Sequence, residues 1–154
     1  MKRLFLFSLI ICSTLLLAGC SYSNDFFIAN NSDGILEIEF KWNENLYVTP
    51  YKFKFEKFND KIVERLEAVG SFTKEEIESA EQTNTFRVTL DPNQALRIHS
   101  IISEENEKTR TTIDKSFRIN FLRLKGKNGT IELTGDQIWF QFRQVENDYF
   151  IVYK

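Results

Sequence analysis

Residues 35–42 read Ile35-Leu36-Glu37-Ile38-Glu39-Phe40-Lys41-Trp42, and this stretch decides the fold class. Leu36, Ile38, Phe40 and Trp42 fall on one side of an extended chain, and Glu37, Glu39 and Lys41 on the other. Side chains alternate across a β-strand, so strict period-two patterning of this length predicts a strand with one face buried. Toward the C-terminus, Asn43-Glu44-Asn45 breaks the run. Tyr51, Phe53 and Phe55 then alternate with Lys52, Lys54 and Glu56 as a second strand, with Pro50 marking its start or a sheet edge. Toward the N-terminus, Asn30-Asn31-Ser32-Asp33-Gly34 is a turn cluster, and Phe26-Phe27-Ile28 before it opens the folded domain.

The same grammar continues down the chain. Phe86–Leu90 reads as a strand ending at the turn Asp91-Pro92-Asn93, and Ala95–Ile102 follows with Leu96 and Ile98 on one side. Ser103–Thr112 is a polar loop. Phe117, Ile119 and Phe121 alternate, but Leu122 and Leu124 switch parity, which predicts a bulge or burial on both faces. Asn128-Gly129 is a tight-hairpin signature, and Thr130–Leu133, Gln137–Arg143 and Tyr149–Tyr153 complete the strands. Residues 59–82 differ. Ile62, Leu66 and Val69 recur at helical spacing, and Thr73-Lys74-Glu75-Glu76 matches a capping box. One or two short helices in a long connection are expected there, with a strand at Lys61–Val69 as the alternative. About eight strands separated by turn signals predict an all-β chain, an antiparallel β-sandwich of immunoglobulin-like architecture. A small lipocalin-like β-barrel is the alternative.

The N-terminus carries an address. Met1-Lys2-Arg3 precedes an uncharged run from Leu4 to Ala18, and small residues close it. A basic start, a short apolar run and small residues at its end make a secretory signal, and the run is short for a membrane span of about 20 residues. Leu17-Ala18-Gly19-Cys20 resembles the lipobox of bacterial lipoprotein signal peptides. The resemblance implies cleavage before Cys20, lipid on its thiol, and loss of residues 1–19. Residues 20–25 are then the lipidated N-terminus and a tether, and 26–154 the β-sandwich domain. An ordinary secretory signal cut near Ala18 and an uncleaved anchor are the competing readings. Because Ser21 rather than Asp follows the cysteine, the resemblance points to the periplasmic face of the outer membrane if the cell is Gram-negative.

Charge and composition exclude several functions. Without Lys2 and Arg3 the 20 basic residues become 18 against 22 acidic ones, a net of −4, which argues against nucleic acid. Cys12 lies in the discarded run, so with Cys20 lipidated no disulfide, zinc ribbon or thiol chemistry is available. The one histidine, His99, sits beside Arg97 on the polar side of a strand and reads as a surface residue, not a metal ligand. Glu37 and Glu39 stand about 7 Å apart by strand rise, a workable spacing for glycoside hydrolysis. Outward alternation on a half-exposed strand is the favoured reading of the pair. The acids at 104, 105 and 107 lack calcium-loop spacing. No catalytic, metal or cofactor set emerges, and the two glycosylation-like sequons, at Asn30 and Asn128, read as turns.

One feature supports a binding role. In the strand expected at Gln137–Arg143, Trp139 shares a face with Gln141 and Arg143, and Tyr149 and Tyr153 lie on the neighbouring strand. Aromatics, amides and Arg concentrate where proteins bind sugars or partners. Core or rim packing of the same aromatics is the favoured reading, and a recognition patch is the alternative. The sequence therefore predicts a lipid-anchored, non-enzymatic envelope protein that acts by interaction or scaffolding. It contacts the membrane through Cys20 and an envelope protein or glycan through its surface. The alternative is a module for a glycan or small apolar ligand, using the Trp139 face or a barrel interior.

Overall fold

The computed structural model describes residues 21–42, 50–58, 63–64, 66–104, 119–145 and 148–154. In chain order the elements are β1 (Ser21–Asn30), β2 (Leu36–Trp42), β3 (Tyr51–Lys54), β4 (Lys57–Phe58), β5 (Val63–Glu64) and β6 (Glu67–Ser71). They continue with α1 (Lys74–Thr83), β7 (Thr85–Leu90), β8 (Gln94–Glu104), β9 (Ile119–Gly126), β10 (Gly129–Thr134), α2 (Asp136–Gln141), β11 (Arg143–Val145) and β12 (Asp148–Tyr153). The strands form a larger sheet of six in the order β11-β12-β1-β8-β3-β6 and a smaller sheet of four in the order β10-β9-β2-β7, with β4 and β5 as a separate pair. Both sheets have two edges, so the described strands form an all-β two-sheet fold and do not close into the lipocalin-like barrel.

The decisive stretch behaves as its pattern requires. Leu36, Ile38, Phe40 and Trp42 of β2 are buried, while Glu37 and Lys41 are exposed. They meet Phe26, Ile28, Leu96 and Ile98 of the larger sheet in one core. The larger sheet is also covered on its other face, where Phe27, Ala29, Ala95 and Phe150 pack with Phe55, and Phe58 and Val63 of the β4–β5 pair lie against them. Phe26, Phe27, Ile28 and Ala29 are therefore all buried. A strand covered on both faces reads as a continuous apolar run rather than an alternating one. At about 1.5–3 kcal/mol for each large buried apolar side chain, this two-sided burial is a substantial source of stability.

Four expectations are corrected. First, β1 begins at Ser21, so residues 21–25 are strand and not a loose tether. Second, β1 pairs with β12 in parallel, Phe26 opposite Tyr149 through Asn30 opposite Tyr153, so the larger sheet is mixed. Third, the connection after β4 carries one helix, Lys74–Thr83, as expected, but among its described residues the stretch before it is strand, β5 and β6, where the spacing of Val69 predicts helix. The capping box is real, with the Glu76 N–H donating to the Thr73 hydroxyl at 3.2 Å and the Thr73 N–H to the Glu76 carboxylate at 2.8 Å.

Fourth, Gln137–Gln141 is helix rather than strand, and of the expected strand only Arg143 belongs to one, as the first residue of β11. Gly135 has φ +52°, which turns the chain out of β10 and into α2. In a helix, residues 138, 139 and 142 share one face, and the burial of Ile138 and Trp139 with exposure of Phe140 follows that spacing. The parity switch in β9 is a register shift: Lys41 pairs with Phe121 but Trp42 with Ile119. Phe117 lies outside the described residues.

Candidate functional site

The smaller sheet's outer face is a grid of charges set by register. Glu132, Arg123, Glu39 and Arg87 lie directly opposite one another across β10, β9, β2 and β7. Arg123 Nε donates to Glu132 at 2.7 Å, and Arg87 Nε to Glu39 at 2.7 Å. The guanidinium of Arg123 also stands 3.7 Å from Glu39. The hydrogen bond from Arg87, aided by the charges of Arg87, Arg123 and Lys41, holds the Glu39 carboxyl below its ordinary range. One row along, Lys125 Nζ lies 3.2 Å from Glu37. Lys41 and Arg123 flank the ring of Phe121, at 5.1 Å and 5.5 Å from its centroid.

Both acids of the pair are held by cations. General acid–base catalysis by two carboxylates requires one of them to hold its proton near neutrality. Glu39 is pushed the opposite way, and Glu37 is engaged by Lys125. The grid suits electrostatic contact with a charged, flat partner, because opposite charges fix register more than they add affinity.

At the β7 edge the grid runs into a cleft of about 530 Å³. Glu37, Arg87 and Lys125 form ionic walls, and Ile38, Val88 and Phe72 supply apolar surface. Lys52 reaches in from the larger sheet, its ammonium 5.5 Å from the Phe72 ring centroid. A second cleft, of about 420 Å³, opens between β10 and β12, lined by Gln141, Arg143, Tyr153, Ile131 and Leu133 among others.

The aromatics of the alternative patch lie mostly inside, as core packing of them requires. Trp139 is 8% exposed and lies inside, its ring 5.8 Å from Phe26 and 5.7 Å from Tyr149. Tyr149 stacks on Phe26 at 4.9 Å. Tyr153 is buried, and its hydroxyl donates to the Gly129 carbonyl at 2.8 Å. Gln141, Arg143 and Tyr153 line the second cleft. His99 is half-buried beside Phe26, 5.9 Å between centroids, rather than a surface residue. Cys20, the signal residues and most of the 103–112 loop lie outside the described residues.

Asn30 is the polar residue that sequence reasoning missed. It is fully buried; its Nδ2 donates to the Gly34 and Leu90 carbonyls at 2.7 Å and 3.1 Å, and its Oδ1 accepts from Ser32. The sequon there is thus a turn knot, its amide used within the fold. The charge row was half legible: each strand shows its outward charges, but only register brings them opposite.

Among the described residues no group of three or more His, Cys, Asp or Glu could hold a metal ion, and no helix is long and apolar enough to cross a membrane. No protein-family model, curated protein or solved structure matches the chain.

Proposed function

We propose that this chain is a lipid-anchored domain of the bacterial cell envelope that works by contact, not catalysis. The observation that carries the reading is Leu17-Ala18-Gly19-Cys20 at the end of a basic-then-apolar leader, immediately before the first strand of the fold. Residues 1–19 are removed, Cys20 carries the lipid, and the domain works on the periplasmic face of the outer membrane if the cell is Gram-negative. Its immunoglobulin-like character belongs to the same proposal, supported by two facing sheets around one core.

The contact surface we favour is the charge grid of β10, β9, β2 and β7, with Phe121 between two cations. A protein partner with an alternating charge pattern fits it better than a glycan. A glycan or small apolar ligand remains the second reading because clefts of about 530 and 420 Å³ fall within the volumes that small ligands occupy. It now rests on those clefts and no longer on Trp139.

The test has two parts. Intact-mass spectrometry of the protein extracted from its own membrane is expected to give a chain starting at Cys20 and heavier by two or three acyl chains, with the modification absent from Cys20→Ala. In-cell crosslinking from positions beside Arg87 and Arg123 is expected to capture an envelope protein, and charge reversal at both to abolish the capture. An unmodified, unanchored chain overturns the address, and crosslinks insensitive to the reversal overturn the surface.

A further inference from the structure

We propose that Ser21–Asp25 and Ser100–Glu104 form a stiff two-stranded stalk that holds the domain upright on the bilayer, with the Asn30–Gly34 end facing away from it. The inference rests on lipid attachment at Cys20 and adds what that attachment does to orientation.

The pairing supplies the stalk. β1 runs antiparallel to β8 from Ser21 opposite Glu104 to Asn30 opposite Gln94. Among the described residues the neighbours on either side reach less far: β12 joins β1 from Phe26, and β3 pairs with β8 as far as Arg97. Among the described residues, Ser21–Asn24 and Ile101–Glu104 therefore project beyond the larger sheet as a ribbon of two strands.

Its base is fixed where it leaves the sheet. The Asp25 N–H donates to Asp148 Oδ1 at 2.9 Å, and Arg97 Nη1 meets the Asp25 carboxylate at 3.3 Å. Ser23 and Ser100 join the two strands through their hydroxyls at 3.0 Å. With no residue between Cys20 and the ribbon, the lipid is attached directly to it.

The far end is equally defined. The turn after β1, the β9–β10 hairpin and the end of β12 gather there. Lys127 Nζ contacts Asp33 at 2.6 Å, and Asn128 donates to the Lys154 carbonyl at 2.8 Å. The Asn93 N–H donates to the Asn30 carbonyl at 2.9 Å. From Ser21 to Asn30 the strand rises about 30 Å. A lipid at one end of a rod of this length places the turn cluster at the outer limit of the molecule's reach. A loose peptide in place of residues 21–25 would let every face approach the membrane.

The mature chain contains no cysteine but Cys20, so introduced thiols can be labelled singly. Full-length acylated protein is reconstituted in phosphatidylcholine–phosphatidylglycerol vesicles that hold a trace of acceptor-labelled lipid. Donors are placed by Ser100→Cys at the stalk and Asp33→Cys at the far turn. Energy transfer is expected to be several-fold stronger from position 100, and a flexible Gly-Ser linker inserted between Cys20 and Ser21 is expected to level the two.

Hydrogen exchange on the unacylated Cys20→Ala chain tests the stalk independently and is expected to show slowed amides at residues 22–24. Equal transfer without the linker, or coil-like exchange at residues 22–24, overturns the stalk. A chain that lacks acyl mass and does not float with vesicles overturns the lipid reading instead, whatever the exchange shows.

Discussion

Replacing Asn30 should cost more than any surface change, and the magnitude follows from its four hydrogen bonds. In Asn30→Ala the Gly34 and Leu90 carbonyls lose their amide donors, at 2.7 Å and 3.1 Å, inside a site of zero exposure. A buried polar group left without its partner costs about 1–3 kcal/mol. Gly34 retains the Ser32 hydroxyl at 3.2 Å, so the Leu90 carbonyl bears most of the loss. Freeing the Ser32 N–H and hydroxyl loosens the turn as well. The sum is about 3 kcal/mol, or roughly 10 °C in Tm for a domain of this size.

Asn30→Asp keeps shape and acceptors but points a carboxylate at two carbonyl oxygens. The folded state then favours the protonated acid, raising that carboxyl's folded pKa. The penalty is absent below the unfolded value of about 3.9 and grows as pH rises above it. Urea unfolding of the Cys20→Ala background at pH 3 and pH 7, with exposed Asn31→Ala as control, measures both. An Asn30→Ala cost below about 1 kcal/mol, or an Asn30→Asp cost indifferent to pH, would refute the reasoning.

Three further outcomes follow from other contacts. A Cβ at Gly126 would sit 2.6 Å from the Tyr153 ring, so Gly126→Ala should destabilise by about 1–3 kcal/mol in thermal melts; near-neutrality would mean that the ring is not held there. Trp139→Ala should cost about 3–5 kcal/mol, whereas Phe140→Ala, at a site 68% exposed, should fall within about 0.5 kcal/mol. Unchanged stability of Trp139→Ala together with lost ligand binding would restore Trp139 to the surface. Glu39→Gln should cost about 1 kcal/mol at pH 7. Because the hydrogen bond from Arg87 holds the Glu39 carboxyl below its ordinary value, its contribution is present above that value and is lost as pH falls through the folded pKa. The cost should therefore shrink toward pH 3, and a pH-independent cost would show that the Arg87 contact is not what holds Glu39.

How much was legible depended on whether burial was one-sided. In β2 one face meets the core and the other meets water, so alternation alone identified the strand and its inward residues. In β1 and β12 both faces are covered, and a continuous apolar run says "buried" without saying by what. Their parallel pairing could not be read at all, since it joins segments more than a hundred residues apart. Residues 137–143 fit two periods at once: 138, 140 and 142 for a strand, or 138, 139 and 142 for a helix. The decision lies outside the window, in the positive φ of Gly135 and in the Thr134 N–H donating to the Gln137 side chain at 3.3 Å. Trp139 was misplaced for that reason alone. The charge grid shows the same limit, because its residues were visible singly while their opposition is a property of register.

The position of β1 joins these threads. It sits inside the larger sheet, between β8 and β12, so both its ladders are made with strands from later in the chain. The last of them ends at Tyr153. Pairing over such sequence separations carries a loop-closure cost before any contact is gained. The strand that follows the proposed anchor is thus sealed into its sheet only when the C-terminal strand arrives. Under the lipid-anchored reading, attachment and fold therefore share one segment. A cut within Ser21–Asp25 would remove only the part of β1 that pairs with β8 alone and would leave Phe26–Asn30 between β8 and β12, so the released domain would keep its core but lose the paired segment next to the anchor.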